Sequence, residues 1–309
     1  MRTSVVIGLF VLLVASAPLL AQEALDLDGA LAVFQNDHVA VEYSDAGKAV
    51  LEDVIDVFLT TLGVTDALDQ EDDDDVMAFE VPMDLKDVVN KLSQSYYTLA
   101  NVFTADEDAQ ESLYVMGTNW GLKSLRMDPV FAQTEDEANF ITAVRGANDI
   151  AALYWAASNW LRDAQKHPMQ AIWDNVPERV QNMSERTLEL DPGYIAGGSY
   201  RALGGYWSGL PIGRDLDKTL WYLCHVVSET VCDTCVDFDP AERVADADDY
   251  LENRTFIAEF YYMEKDMWEE AKTVLDTVLA EEIGDKYPLM NAYAQENARE
   301  LLAEVEERL

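Results

Sequence analysis

The side chains best suited to acid–base or nucleophilic chemistry are scattered along this chain. Its three histidines, His38, His167 and His225, lie far apart and in no recognisable motif. The sequence contains no G-x-S-x-G elbow, no H-E-x-x-H helix and no phosphate-binding glycine loop. Carboxylates are abundant, but among 59 of them a chance pair within reach is expected and does not indicate catalysis. We therefore predict a protein that is not an enzyme, without catalytic residues or a cofactor.

A cysteine cluster is the one compact group that could bind a metal or cross-link the chain. Cys224, Cys232 and Cys235 lie close together, with His225 beside the first. Cys/His clusters can hold zinc, but the C-H-x6-C-x2-C spacing lacks the second C-x2-C pair of common zinc sites. A haem-attachment motif would need a histidine where Val236 stands. A local disulfide with one cysteine left over is favoured, inert thiols and a metal or redox site are the alternatives, and no metal ligand is assigned.

The charge of the chain limits its partners. Its 309 residues include 59 Asp and Glu against 21 Lys and Arg, a formal net charge of −38. This field repels phosphate, so we expect no nucleic-acid partner, and an anionic membrane is a poor one. Such acidity also fits a protein that works in high salt. Other proteins, cations and neutral apolar ligands remain compatible with it.

The first residues differ in composition from the rest of the chain. Arg2 is the one charged residue of segment 1–21, and residues 5–15 are apolar apart from one glycine. Small and helix-breaking residues follow at 16–18, and Leu19, Leu20 and Ala21 come after them. This pattern predicts a secretory signal peptide that is cleaved after Ala21, with an uncleaved N-terminal anchor as the alternative. We expect the mature protein outside the cytoplasm.

The remaining sequence is helical in pattern, which predicts an all-α fold. Apolar residues three and four apart indicate helices over 24–35 and 46–62, and no strand-period segment of useful length appears. The acidic run 69–75 lacks the glycine and the distal glutamate of an EF-hand, so we expect a solvated loop. We divide the mature chain into N-terminal helices with this acidic loop (22–84) and a helical repeat domain (85–309).

Internal repeats indicate how these helices are arranged. The tetratricopeptide pattern aromatic-x2-Leu-Gly-x2-aromatic is matched by Tyr200, Leu203, Gly204 and Trp207. Gly204 would let a second helix over 216–227 approach closely. A second unit begins at Ala258 and places the small Ala271 in its second helix. We expect degenerate tetratricopeptide-like hairpins, stacked in a solenoid-like single domain.

Several longer stretches resemble one family, the T component associated with TRAP transporters (TatT). They are DIAALYWAASNW at 149–160, LELDPGY at 188–194, GG at 197–198, LGGYWSGLP at 203–211, AEFYY at 258–262, PLMN at 288–291 and AQ at 294–295. The resemblance implies a periplasmic homotrimer of tetratricopeptide-like hairpins, with a hydrophobic pore or cleft in each protomer. It also implies that each protomer docks a substrate-binding P subunit and passes apolar ligands to the transporter. Gln22 stands where lipidated members carry a cysteine, so we expect no lipid anchor.

Aromatic residues of the two central hairpins are the predicted ligand-binding residues. Neighbouring residues on a helix point about 100° apart, so both members of an adjacent aromatic pair cannot face the same helix–helix seam. One member is then available to line a cleft. The predicted lining residues are Trp155, Trp160, Tyr206, Tyr154 and Trp207. By the same reasoning Tyr262 packs inside and Tyr261 is left for a surface or partner contact.

These observations predict an exported auxiliary component of a TRAP uptake system. It would dock the P subunit and bind or relay an apolar small ligand. The alternative is a general periplasmic repeat scaffold that organises other proteins and has no ligand channel.

Overall fold

The computed structural model describes residues 25–35, 37–234 and 237–309. This part of the chain holds fifteen α-helices and one pair of two-residue strands, which confirms the all-α class. The predicted signal peptide and Cys235 lie outside the described residues. Among the residues described, no helix is both long enough and apolar enough to cross a membrane.

The N-terminal elements differ in detail from the predicted pattern. They are α1 (Leu27–Ala32), β1 (Phe34–Gln35), β2 (His38–Val39), α2 (Asp45–Leu62) and α3 (Asp73–Ala78). The helix predicted over 24–35 is wrong at its end, because β1 pairs antiparallel with β2 there. Helix α2 matches the prediction over 46–62. It begins where Ser44 Oγ accepts a hydrogen bond from the Gly47 amide and ends at Gly63, whose φ of 79° breaks the helix.

The acidic run 69–75 is exposed, as expected, but it is not all loop. Its last three residues form the first turn of α3, and Asp72 caps that helix by accepting a hydrogen bond from the Asp75 amide at 3.1 Å. Acidic side chains in the first turn stabilise a helix, because they interact favourably with the positive end of its dipole. This explains why the run starts a helix.

Three long helices pack together at the centre of the chain. The central helices are α4 (Lys86–Thr98), α5 (Glu107–Met127), α6 (Pro129–Glu137), α7 (Phe140–Gly146), α8 (Ile150–Lys166), α9 (Pro168–Trp173) and α10 (Val176–Leu190). Helices α4, α5 and α8 approach closely through small residues. A Cβ on Gly121 would lie 2.8 Å from the Ala156 Cβ. Ser93 Oγ donates to the Gly117 carbonyl at 2.7 Å, and Asn159 Nδ2 donates to the Ser93 carbonyl at 3.1 Å.

The C-terminal helices cover the two stretches that were predicted to form hairpin units. They are α11 (Tyr194–Gly209), α12 (Leu216–Leu223), α13 (Glu252–Ile257), α14 (Trp268–Ala280) and α15 (Pro288–Arg308). The close approach predicted at Gly204 is confirmed, because a Cβ there would meet the Leu223 side chain at 2.7 Å. Ala271 of α14 is fully buried, as its position in the second unit predicts. Helix α12 is shorter than the predicted 216–227, since the chain leaves the helix at Cys224.

Cys224 is bonded to Cys232, so the predicted local disulfide is confirmed. Both sulfurs are therefore unavailable as thiolate ligands. Among the residues placed in the structure, no group of three His, Cys, Asp or Glu side chains could hold a metal ion.

One hydrophobic cluster joins the two ends of the described chain. It combines residues of α2 and α4 with Tyr250, Tyr287 and Leu289. His38 lies inside it, with its ring centroid 4.4 Å from that of Tyr287 and 5.6 Å from that of Tyr250. The segments 22–84 and 85–309 thus share a core, and the N-terminal elements support the helices that form the site.

Candidate functional site

One face of α8 lines three adjoining cavities. Its residues at positions i, i+3, i+4, i+7 and i+8 share this face, as the helical period requires: Ser158, Leu161, Arg162, Gln165 and Lys166. The three cavities are described in turn below. Leu161 and Gln165 each line both the first and the second cavity, and Arg162 and Gln165 each line both the second and the third. The cavities therefore follow one another along about two turns of helix.

The first cavity, here called the apolar chamber, lies between α8, α9, α10 and the end of α11. Its volume is about 220 Å³. Its walls include Leu161, Ala171, Ile172, Val180, Tyr206 and Leu210. Gln165 and Tyr206 supply the polar groups of the described lining. Apolar walls with few polar groups are typical of small-molecule sites.

The second cavity, here called the neck, is a constriction of about 30 Å³. This is room for one or two water molecules. Tyr97, Tyr154, Arg162, Arg201, Phe256 and Phe260 line it. Gly198 also faces the neck, and a Cβ on this residue would lie 2.3 Å from the Tyr154 hydroxyl. The width of the neck is thus set by aromatic rings, two guanidinium groups and a glycine.

The third cavity, here called the polar chamber, has a volume of about 320 Å³. Asn101, Tyr114, Arg162, Glu252, Glu259 and Tyr293 are among its lining residues. Burial raises the pKa of Glu259 to about 7, while the nearby Arg162 lowers it. Burial also raises the pKa values of the Tyr114 and Tyr293 phenols, so both are neutral hydrogen-bond donors at neutral pH.

A buried ion pair forms the wall between neck and polar chamber. Arg201 Nε lies 3.0 Å from Glu252 Oε2, and the two side chains are only 6% and 4% exposed. Arg201 Nη1 also donates to Asn253 Oδ1 at 2.7 Å, and the guanidinium lies over the Tyr250 ring at 4.5 Å. Because both charges are compensated, this pair is suited to holding the wall in place.

Arg162 is placed differently from Arg201. Its guanidinium carbon lies 6.0 Å from the Phe256 ring centroid, and Nη1 is 3.5 Å from Gln165 Oε1. In the ranges that the structure describes, no carboxylate oxygen lies within the 4.0 Å of an ion pair from this side chain. Arg162 therefore presents a charged donor group to two cavities.

Three consecutive residues with left-handed backbone conformation directly precede Gly198, which lines the neck. Ile195, Ala196 and Gly197 have φ values of 50°, 52° and 76°, in the left-handed region that costs non-glycine residues free energy. The Ala196 carbonyl accepts a hydrogen bond from Asn253 Nδ2 at 3.1 Å, which ties this turn to the Arg201 network. This arrangement places Gly198 against Tyr154.

Two π-helical turns also contribute to the cavities. They are Leu99–Phe103, which supplies Asn101, and Ala258–Tyr262, which supplies Glu259 and Phe260. Such turns often mark functional sites in helical proteins.

The predicted ligand-binding residues are divided between cavity and core. Tyr154 lines the neck and Tyr206 lines the apolar chamber. Trp155 is buried with its ring centroid 5.5 Å from that of Tyr97, outside the three cavity walls. Trp160 packs edge-on against Phe140, and Lys218 Nζ lies 3.7 Å from the centroid of the Trp207 ring. Neither residue contributes to the linings.

Tyr261 is buried in the C-terminal cluster rather than at the expected surface position. Its ring centroid lies 5.6 Å from that of Tyr262, and Lys265 Nζ lies 5.8 Å from it. A contact between Tyr261 and a partner remains a prediction.

The polar residues of the site were not among the predicted site residues. Arg162 and Gln165 were detectable, because they follow Tyr154 and Ser158 at helical spacing on one face of α8. Glu252 and Glu259 were not, because only tertiary packing brings α13 and the following π-helical turn to α8.

Comparison with curated proteins gave no match. The family model described as TRAP transporter T-component matches residues 75–214. This segment runs from α3 to the end of α11, so it includes every α8 residue of the three cavities, whereas Glu252, Phe256 and Glu259 lie beyond it. Members of this family are auxiliary components on the periplasmic side of TRAP transporters. The match over residues 75–214 confirms the predicted resemblance to the T component of TRAP transporters.

Proposed function

We propose that this chain is an auxiliary T component, which docks the substrate-binding P subunit of a TRAP uptake system and binds or relays an apolar small ligand. The row of cavities along α8 carries the proposal. It lies largely within the matched segment and combines an apolar chamber with a narrow connection to a second chamber.

The apolar chamber is the proposed ligand site. Its walls favour hydrocarbon or aromatic groups, because burying apolar surface stabilises binding by about 25 cal/mol per Å². Tyr206 and Gln165 can orient a ligand through single hydrogen bonds. We also propose that Tyr154, Trp155, Trp160 and Trp207 contribute to ligand binding, directly or by supporting the walls.

The neck is the proposed relay point. At about 30 Å³ it is too small for an organic ligand, so passage requires movement of side chains. Arg162 and Gln165 are unbranched at Cβ and lie on the wall shared with the chambers. Rotation of these two side chains would widen the connection without moving a helix.

The proposed docking face for the P subunit surrounds the apolar chamber. Met169, Trp173 and Ile212 are 52%, 75% and 73% exposed. Each is a sequence neighbour of a residue that lines the chamber. Exposed apolar groups at one site are typical of protein–protein contacts. A P subunit bound there would cover the chamber, which suits transfer of a ligand.

The proposal also covers export, oligomeric state, the arrangement of the helices and the role of Tyr261. The protein would be exported, with cleavage after Ala21, and would act in the periplasm as a homotrimer. Its helices would stack as tetratricopeptide-like hairpins within 85–309, preceded by the N-terminal segment 22–84 with its acidic loop. Tyr261 would contribute to a partner contact through its packing.

A substitution that fills the apolar chamber with a side chain tests whether a ligand binds there. Gly209 lines the apolar chamber, and a Cβ on it would meet only Gln165 Nε2, at 3.9 Å. We expect Gly209→Leu to weaken binding of the neutral fluorophore phenylnaphthylamine about tenfold, because the new side chain occupies the chamber. Gly146→Leu is the matched control, since Gly146 also ends a helix and has open space around it.

The two variants separate the proposal from its alternative. Equal fluorophore binding by wild type, Gly209→Leu and Gly146→Leu would contradict a ligand role for the chamber. That result would favour a repeat scaffold without a ligand channel.

A further inference from the structure

We propose that two unlike surfaces of this chain dock two copies of it head to tail. The first surface, here called the methionine groove, is lined by Met77, Met83, Lys123 and Met127 among other residues. The second, here called the isoleucine loop, is the segment 281–285 between α14 and α15. The inference rests on the homotrimer of the proposed function and names the surfaces through which its protomers contact each other.

The methionine groove is an open cavity of about 600 Å³. Its lining residues come from 77–83 and from 123–127 of α5, so it is distinct from the cavities along α8. Thioether side chains are flexible and polarisable, and methionine is enriched in protein interfaces because it adapts to the apolar groups of a partner. Met83 is 55% exposed, so this apolar wall is in contact with water in the single chain.

Lys123 supplies a positive charge to this groove. Its ammonium donates to the Met77 carbonyl at 2.8 Å, and among the residues described no carboxylate oxygen lies within the 4.0 Å of an ion pair. Glu80 lines the same groove beyond that distance and compensates part of the charge. Arg126 differs, since Glu135 accepts two hydrogen bonds from its guanidinium at 2.9 and 3.0 Å. Although the chain has a net charge of −38, Lys123 therefore keeps donors for an external carboxylate.

The isoleucine loop presents an apolar side chain between carboxylates. Ile283 is 39% exposed, and Glu282 and Asp285 on either side of it are exposed as well. In the part of the chain that the structure describes, neither of these two carboxylates has a cationic nitrogen within 4.0 Å. The neighbouring Glu281 differs, because Arg254 lies 3.0 Å from it. The loop thus carries one exposed apolar group and two carboxylates that can pair with an external cation.

Buried amides hold this loop in one conformation. Asn291 Nδ2 donates to the Ile283 carbonyl at 2.8 Å, and Gln295 Nε2 donates to the Glu281 carbonyl at 2.8 Å. The two amide residues are only 3% and 8% exposed. Gly284 permits the turn with a φ of 66°. Because the loop is already ordered, it loses little conformational entropy when it binds.

The two surfaces are complementary in charge and in polarity. The loop brings an isoleucine and two carboxylates, and the groove brings methionine side chains and an ammonium. Docking covers Ile283 and Met83 and gives Lys123 a carboxylate partner. Since the surfaces are unlike, each copy offers its loop to one neighbour and its groove to another. A closed ring of three copies occupies every loop and every groove.

Sedimentation velocity of a chain that begins at Gln22 tests this contact. We expect the wild type to sediment as a trimer, and we expect Met83→Asp and Ile283→Asp each to weaken self-association at least about tenfold. Both side chains are exposed in the single chain, so circular dichroism should show a retained fold. Ile212→Asp is the matched control, because Ile212 is a 73% exposed isoleucine beside the apolar chamber, and it should leave the trimer unchanged.

A mixture of the two variants tests whether the surfaces contact each other. The Met83→Asp chain keeps its loop and the Ile283→Asp chain keeps its groove. The mixture should therefore form a dimer, whereas each variant alone stays monomeric. Lys123→Glu should also weaken self-association. Adding Glu282→Lys and Asp285→Lys to the Lys123→Glu chain should restore it, because reversing both charges recreates the attraction.

The outcomes separate this contact from the proposed function. A wild-type trimer that both single variants retain, or variants whose mixture forms no dimer, would overturn the contact and leave the homotrimer. A wild type that grows into open chains of copies would support the contact and overturn the trimer. A wild-type monomer at every concentration would overturn both. The ligand site is tested separately by the fluorophore experiment above.

Discussion

The buried ion pair between Arg201 and Glu252 should dominate the stability of the neck. We predict that Glu252→Gln destabilises the folded protein by about 3 kcal/mol, with a range up to about 5 kcal/mol. The substitution keeps the size of the side chain and removes only its charge. Arg201 would then remain in the interior with the Asn253 amide oxygen as its acceptor.

The magnitude follows from the geometry of the pair. At 3.0 Å and an effective dielectric constant of about 20, two unit charges attract with about 5.5 kcal/mol. Both side chains are almost fully buried, so bulk water screens their attraction only weakly. The hydrogen bond to Asn253 and the Tyr250 ring compensate for part of the loss. The expected effect is a large fraction of the 5–15 kcal/mol that is typical of a folded domain, in the range of about 3 to 5 kcal/mol.

Urea unfolding followed by circular dichroism measures this effect as a change in the free energy of unfolding. Glu189→Gln is the matched control. Its partner Arg186 lies at 2.8 Å, but Glu189 is 65% exposed, so we expect a change below about 1 kcal/mol. A Glu252→Gln protein within 1 kcal/mol of wild type, by the same assay, would refute the reasoning that the buried pair holds this wall.

Three further substitutions, one of them a control, test the neck and the shared core. Gly198→Ala should destabilise the fold by about 1–3 kcal/mol, because the new Cβ would meet the Tyr154 hydroxyl. Gly205→Ala, whose Cβ has ordinary contacts at 3.5 Å and beyond, should be neutral or stabilising, and equal melting temperatures for both variants would contradict the close approach. Burial lowers the pKa of His38 to about 3 from its ordinary 6.5. The unfolded chain therefore binds a proton below pH 6.5 while the folded chain does not, and stability should fall as the pH decreases from 6.5 toward 3. His38→Gln should lose less stability over this window than wild type, and identical losses in urea unfolding would contradict a buried neutral imidazole.

Local sequence patterns predict much of this fold, because helix periodicity, capping and close packing at glycine each depend on a few neighbouring residues. The heptad-like apolar spacing of 46–62 and the flanking residues Ser44 and Gly63 determine α2 almost completely. Gly204 predicts a close helix contact because no other residue leaves that space, and Leu223 occupies it. By contrast, the early end of α12 depends on the chain beyond Cys224, which helical periodicity does not describe.

The site was less predictable, because periodicity identifies the faces of a helix but not what each face meets. In the pair Tyr206 and Trp207, Tyr206 lines the apolar chamber. In the pair at 154–155, Tyr154 lines the neck. Trp155 is turned away from the neck lining, and its ring packs against that of Tyr97 of α4. The polar walls formed by Glu252 and its neighbours come from distant segments and have no local signature.

Native mass spectrometry of a chain that begins at Gln22, alone and mixed with the TRAP substrate-binding subunit of the same organism, tests the proposed transporter role most directly. We expect a trimer that adds one substrate-binding subunit per protomer, and we expect Trp173→Ala to weaken this addition while Val130→Ala, at an equally exposed apolar position away from the chamber, does not. A monomer that does not associate with that subunit at any tested concentration would contradict the proposed role.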